Sequence, residues 1–89
     1  MRGHADQRRR GDDLDERVER AIILQLLRDD HAPQWARTEL AREISDFQPV
    51  QLDAALARLE REAVVHREGD MVRASRAVHR LDELELISI

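Results

Sequence analysis

The side chains able to do chemistry are few and scattered along the chain. There are three serines (Ser45, Ser75, Ser88), four histidines (His4, His31, His66, His79) and no cysteine. Without cysteine there is no disulfide scaffold, no thiolate zinc site and no thiolate nucleophile. No two histidines stand four apart, the spacing that sets a metal pair on one helix face, and Asp29-Asp30-His31 reads as a surface turn. Each serine has a cap, a turn or a terminal position to explain it. Gly69 is the one glycine after Gly11, so no glycine-rich loop can cradle a phosphate. The acid pairs Asp82 and Glu83, or Glu60 and Glu62, are adjacent or two apart on a helix and point away from each other. These residues give no support to an enzyme, a metal site or a cofactor, and none of the three is expected.

Arginine is what remains. Fifteen arginines and no lysine face nineteen acidic residues, for a net charge of −4. Two segments are locally basic. Residues 1–11 set four arginines, Arg8-Arg9-Arg10 among them, against one aspartate. Residues 64–80 set Arg67, Arg73, Arg76 and Arg80 against Glu68 and Asp70. The planar guanidinium suits phosphate and base contacts, and a nucleic-acid module usually carries a basic face.

The elements that must position these groups can be read from spacing. Eighty-nine residues allow one domain. Residues 1–12 lack a large apolar side chain after Met1 and are expected to form a disordered basic arm, with the domain over 13–89. Leu14, Val18, Ile22 and Leu26 recur every four residues and predict a helix over roughly 13–28, ended before Pro33. Trp35-Ala36-Arg37 is expected to be extended, with Trp35 and Phe47 in core or edge roles. Thr38 can cap a second helix to Ile44. Pro49 fits the first turn of a third helix reaching about Ala63, with Leu52, Leu56 and Leu59 as its stripe and Ala55 beside them. Val64 to Arg67 and Met71 to Ala74 predict two strands turned at Gly69. Ser75 can cap a fourth helix, Arg76 to about Glu85.

No apolar run is long enough to span a membrane, and no apolar stretch follows the N-terminus as in a secretory signal, so a cytoplasmic location is expected. The aliphatic end Leu84, Leu86, Ile87, Ile89 predicts either a fold-back onto the first helix or a homodimer contact.

The order helix, extended segment, helix, tight turn, helix, hairpin, helix resembles the winged helix-turn-helix family. Arg37-Thr38-Glu39-Leu40-Ala41-Arg42-Glu43-Ile44 is similar to the second helix of many bacterial regulators. Residues 52–67 are similar to a recognition helix passing into its wing. The resemblance covers about residues 14–86 and departs from the family at Ala63, where glycine commonly ends that helix. It implies an α+β, mostly α fold: a small antiparallel hairpin wing followed by a C-terminal helix.

The implied function is a DNA-binding transcriptional regulator, acting as a dimer on double-stranded DNA. Carried over by position, Gln48, Gln51, Ala54, Ala55 and Arg58 would face the major groove. His66, Arg67 and Arg73 would serve on the wing, and Arg37 and Thr38 would hold a phosphate. The same scaffold also serves as a protein-interaction module without DNA, and fold alone does not choose. The two functions require different surfaces. A regulator needs Arg37, Arg58, Arg67 and Arg73 to converge on one face, whereas Asp53 and Glu60 would interrupt that face in an interaction module.

Overall fold

The computed structural model describes residues 2–85, with side chains described from Asp13 onward. The elements are α1 (Arg2–Leu26), β1 (Trp35–Ala36), α2 (Arg37–Glu43), α3 (Pro49–Arg61), β2 (Val65–Glu68), β3 (Met71–Ala74) and α4 (Arg76–Glu83). Together they form a mostly helical α+β domain with one antiparallel sheet in the order β1-β3-β2.

The apolar spacing does what its period requires. Val18, Ile22 and Leu26 of α1 are buried, and Leu14 packs beside them. They meet Leu52, Ala55, Leu56 and Leu59 of α3, with Leu40 and Ile44, Trp35, Val65, Val72 and Ala74 completing one core. α1 runs from Arg2, ahead of the start expected near residue 13. The expected disordered arm over 1–12, and any role for Arg8 to Arg10, lies outside the described side chains.

β1 passes directly into α2. Ala36 pairs with Met71 in the sheet, and the Arg37 amide then donates to the Asp70 carbonyl at 2.8 Å. This places the helix start one residue earlier than expected. Ala36, not Thr38, is the N-cap, and it has no side-chain acceptor. Glu39 takes over, its Oε1 accepting the Ala36 N–H at 2.8 Å. Thr38 sits exposed inside the first turn.

The end of α3 explains the departure at Ala63. Val64 N donates to Leu59 O at 2.9 Å and Ala63 N to Glu60 O at 3.0 Å, the paired bonds of a Schellman ending. That ending requires a left-handed residue, and Ala63 has φ +61°. A Cβ costs roughly 1–2 kcal/mol there, partly offset by the chain entropy that glycine loses on folding. The Ala63 side chain is exposed, so removing it sacrifices no packing. Ala63→Gly is therefore expected to stabilise the fold by about 1 kcal/mol, read as a rise of about 4–8 °C in thermal midpoint. An unchanged or lower midpoint would show that the ending is not under this strain.

The hairpin uses glycine where the turn demands it. Gly69 and Asp70 link Glu68 to Met71, and Gly69 has φ +61° at the first loop position, as a type II′ turn prefers. Beyond β3, Ser75 caps α4 as expected, its buried Oγ accepting from Val78 N at 3.3 Å. α4 buries only Val78 among its described residues and ends at Glu83, before the expected Glu85. Leu81 and Leu84 are exposed. Leu86, Ile87 and Ile89, with the fold-back or dimer contact expected of them, lie outside the described residues.

Candidate functional site

α3 is the element whose surface decides between the expected functions. Its core stripe is Leu52, Ala55, Leu56 and Leu59. Ala55, three residues after Leu52 and four before Leu59, is fully buried and faces no groove. The opposite face carries Val50, Ala54, Ala57 and Arg61, and Val50 is 68% exposed.

Arg58 also turns away from that face. Its Nε lies 3.4 Å from Glu19 Oε1 and its Nη2 lies 3.6 Å from Asp15 Oδ1, both on α1. It flanks the buried stripe on the α1 side, so its position on α3 commits it to an interhelical contact instead of a base edge. Gln51 is committed locally, because its Oε1 accepts the Gln48 N–H at 2.8 Å and completes the first turn of α3. The Gln48 side chain is exposed.

Two arginines do approach α3, and each meets a carboxylate there. Arg37 binds Asp53 through two bonds, Nε to Oδ1 at 2.6 Å and Nη2 to Oδ2 at 2.8 Å. The Arg37 hydrogen bonds hold the Asp53 carboxyl below its usual range and raise the guanidinium in turn. Arg67 reaches Glu60 Oε1 through Nε at 3.1 Å and Nη2 at 2.9 Å. Asp53 and Glu60 are seven residues apart, so they share one flank of α3 about 10 Å apart. Arg37 and Arg67 thus converge on that flank already paired.

The hairpin divides its own candidates. Val65, Val72 and Ala74 face the core, and alternation puts Arg67 on their side of the sheet, next to α3. His66 and Arg73 are cross-strand partners on the other face. Arg73 is exposed and makes no ion pair with a described residue. Arg37, Arg58, Arg67 and Arg73 therefore do not form one basic face. From Arg37 to Ala74, six arginines stand against eight carboxylates.

A hollow of about 30 Å³ among Gln34, His66, Arg67, Glu68, Met71, Val72 and Arg73 has room for a water or two, well short of the roughly 300 Å³ of a small ligand pocket. A larger groove of about 410 Å³ is lined by α4 alone, from Arg76 to Glu83. Among the described residues, no group of three or more His, Asp or Glu is placed to hold a metal ion. No described helix is long and apolar enough to cross a membrane.

The residues that sequence reasoning underweighted are Asp53, Glu60 and Val50. Their helical positions were readable, since 53 and 60 fall on one flank and 50, 54, 57 and 61 on the outward side. Their pairing was not, because Arg37 and Asp53 are 16 residues apart. No protein-family model, curated protein or solved structure matches the chain.

Proposed function

We propose that this domain is a winged helix-turn-helix module that binds another protein through the outward side of α3, and that duplex DNA is not its partner. On this assignment α2 and α3 are the helix-turn-helix and β2–β3 is the wing. The observation that carries the proposal is the pairing of Arg37 with Asp53 and of Arg67 with Glu60. A phosphate approaching either guanidinium meets a carboxylate already bound to it, on a segment of net negative charge. The outward side next to that flank offers Val50, Ala54 and Ala57, which can be desolvated cheaply against an apolar partner and carry no donors for base edges, with the exposed Arg61 at its C-terminal end.

DNA-binding regulation is the second reading, and the unpaired Arg73 beside His66 favours it. One arginine at the wing is a single phosphate contact, too little for stable binding at physiological salt.

Amide-resonance titration of labelled protein with a generic duplex, at about 50 and 200 mM salt, separates the two. The module predicts no shifts at either salt. Shifts at Gln51, Arg37, Arg67 and Arg73 that weaken at the higher salt would overturn it. A photoreactive side chain at position 50 should cross-link a discrete protein in the native cell, and the same probe at position 20 on α1 should not. A nucleic-acid adduct from position 50 would reject the proposal.

A further inference from the structure

The loop between α1 and β1 holds a cluster that neither function uses. The His31 ring stacks on Trp35 with centroids 3.6 Å apart and planes 14° from parallel. Its Nδ1 lies 2.7 Å from the Ala32 carbonyl oxygen, and its Nε2 lies 3.1 Å from Glu39 Oε2. Both ring nitrogens thus face oxygens that can only accept. A neutral imidazole has one N–H, so one of those contacts would set a lone pair against an oxygen. The imidazolium has two N–H groups and satisfies both, and its charge lies against the indole face, where the ring quadrupole attracts a cation.

We infer that His31 is a proton-operated latch joining the end of α1 to the start of α2, closed when its imidazole is protonated and released when it is neutral. Glu39 is the shared catch. One of its oxygens holds His31, and the other accepts the Ala36 N–H that begins α2. Protonation of His31 therefore reaches the helix start through a single carboxylate. On release, the ring that covers the Trp35 face is free to leave an indole that is only 2% exposed in the closed state.

The charged groups facing the ring agree with this sense. Glu39 approaches from α2. Arg28, just past α1, sits with its guanidinium carbon 5.8 Å from the Trp35 ring and opposes a second cation. That opposition is offset, because Arg28 binds Asp30 at 2.6 Å and lies 3.6 Å from Glu43 of α2. Asp30, in the same loop as His31, adds a negative charge. β1 contributes the Trp35 ring and no charge. The Ala32 and Glu39 contacts raise the His31 pKa above its ordinary 6.5, and the Ala36 and His31 contacts lower that of Glu39. The sign follows from the raised value. The latch contributes its full stabilisation below the unfolded histidine pKa and loses it as pH rises through the folded one.

Trp35 is the one tryptophan and there is no tyrosine, so intrinsic emission reports this site alone. A stacked imidazolium quenches indole emission. Emission is expected to rise on a one-proton curve between about pH 5 and 9, with its midpoint above that of a free histidine. In the unmodified protein, ring-proton resonances should give His31 the same midpoint, above the ordinary histidine value. Glu39→Gln should move both midpoints down, and His31→Asn should abolish the emission change. A His31 midpoint at or below the ordinary value in the unmodified protein would overturn the latch without any variant. So would an emission change that survives in His31→Asn.

Discussion

Leu56→Ala is expected to cost about 3–5 kcal/mol, the largest loss from a single side chain of α3. Leu56 is fully buried between Leu52 and Leu59 on the stripe that meets α1. Truncation removes its apolar area and leaves a cavity that two helices and a sheet cannot easily close around. A domain of this size holds roughly 5–10 kcal/mol of net stability, so the loss takes a large part of it. Urea unfolding should show a much lower midpoint at an unchanged slope. Val50→Ala is the matching control on the same helix. At 68% exposure it should stay within about 0.5 kcal/mol of the parent. A loss under 1 kcal/mol for Leu56→Ala would mean that this stripe is not the core of the fold.

The contrast between Leu56 and Val50 marks what could be read before the structure. The steps of four in α1, the Leu52–Leu59 stripe, the Gly69 turn and the Ser75 cap are local patterns, and each predicted its element. Order and length then led to a mostly helical α+β domain with a hairpin. Element boundaries slipped where a neighbour in space intervened. α2 begins at Arg37 because the β1–β3 ladder delivers the chain there and Glu39 supplies the cap, a role that sequence preference assigned to Thr38. The candidate site was less legible. Arg58 is a groove candidate only by its position in the recognition-helix resemblance. Its partners, Asp15 and Glu19, lie about forty positions earlier and become visible only once α1 packs against α3. Arg67 and Arg73 looked like one basic cluster along the chain, but alternation along two paired strands sends them to opposite faces of the sheet. Charge counted along a chain is a poor guide to charge on a face.

If carboxylates on α3 are what keep duplex DNA away, removing them should create binding. Asp53→Asn with Glu60→Gln keeps a hydrogen-bond acceptor for Arg37 and Arg67 but withdraws both negative charges. Exposed pairs of this kind contribute about 0–1 kcal/mol each, so the domain should remain folded. Residues 37–74 would then carry six arginines against six carboxylates, with Arg37 and Arg67 unneutralised on one flank of α3. Two added phosphate contacts steepen the salt dependence by about 1.8 in the log–log slope, so a gain in affinity at about 50 mM salt should shrink roughly tenfold by about 200 mM. Fluorescence anisotropy with a labelled generic duplex measures this directly. The parent should bind undetectably, the double variant measurably at low salt, and each single variant with about half the added slope. If the double variant binds no better than the parent, the neutralising pairs are not what blocks DNA. The explanation would then move to Val50, Ala54 and Ala57, three of the four outward side chains beside Arg61, which present no hydrogen-bonding group where a recognition helix needs one. A parent that already binds with a steep salt slope would defeat the protein-module proposal outright, because two paired guanidiniums should not release that many counterions.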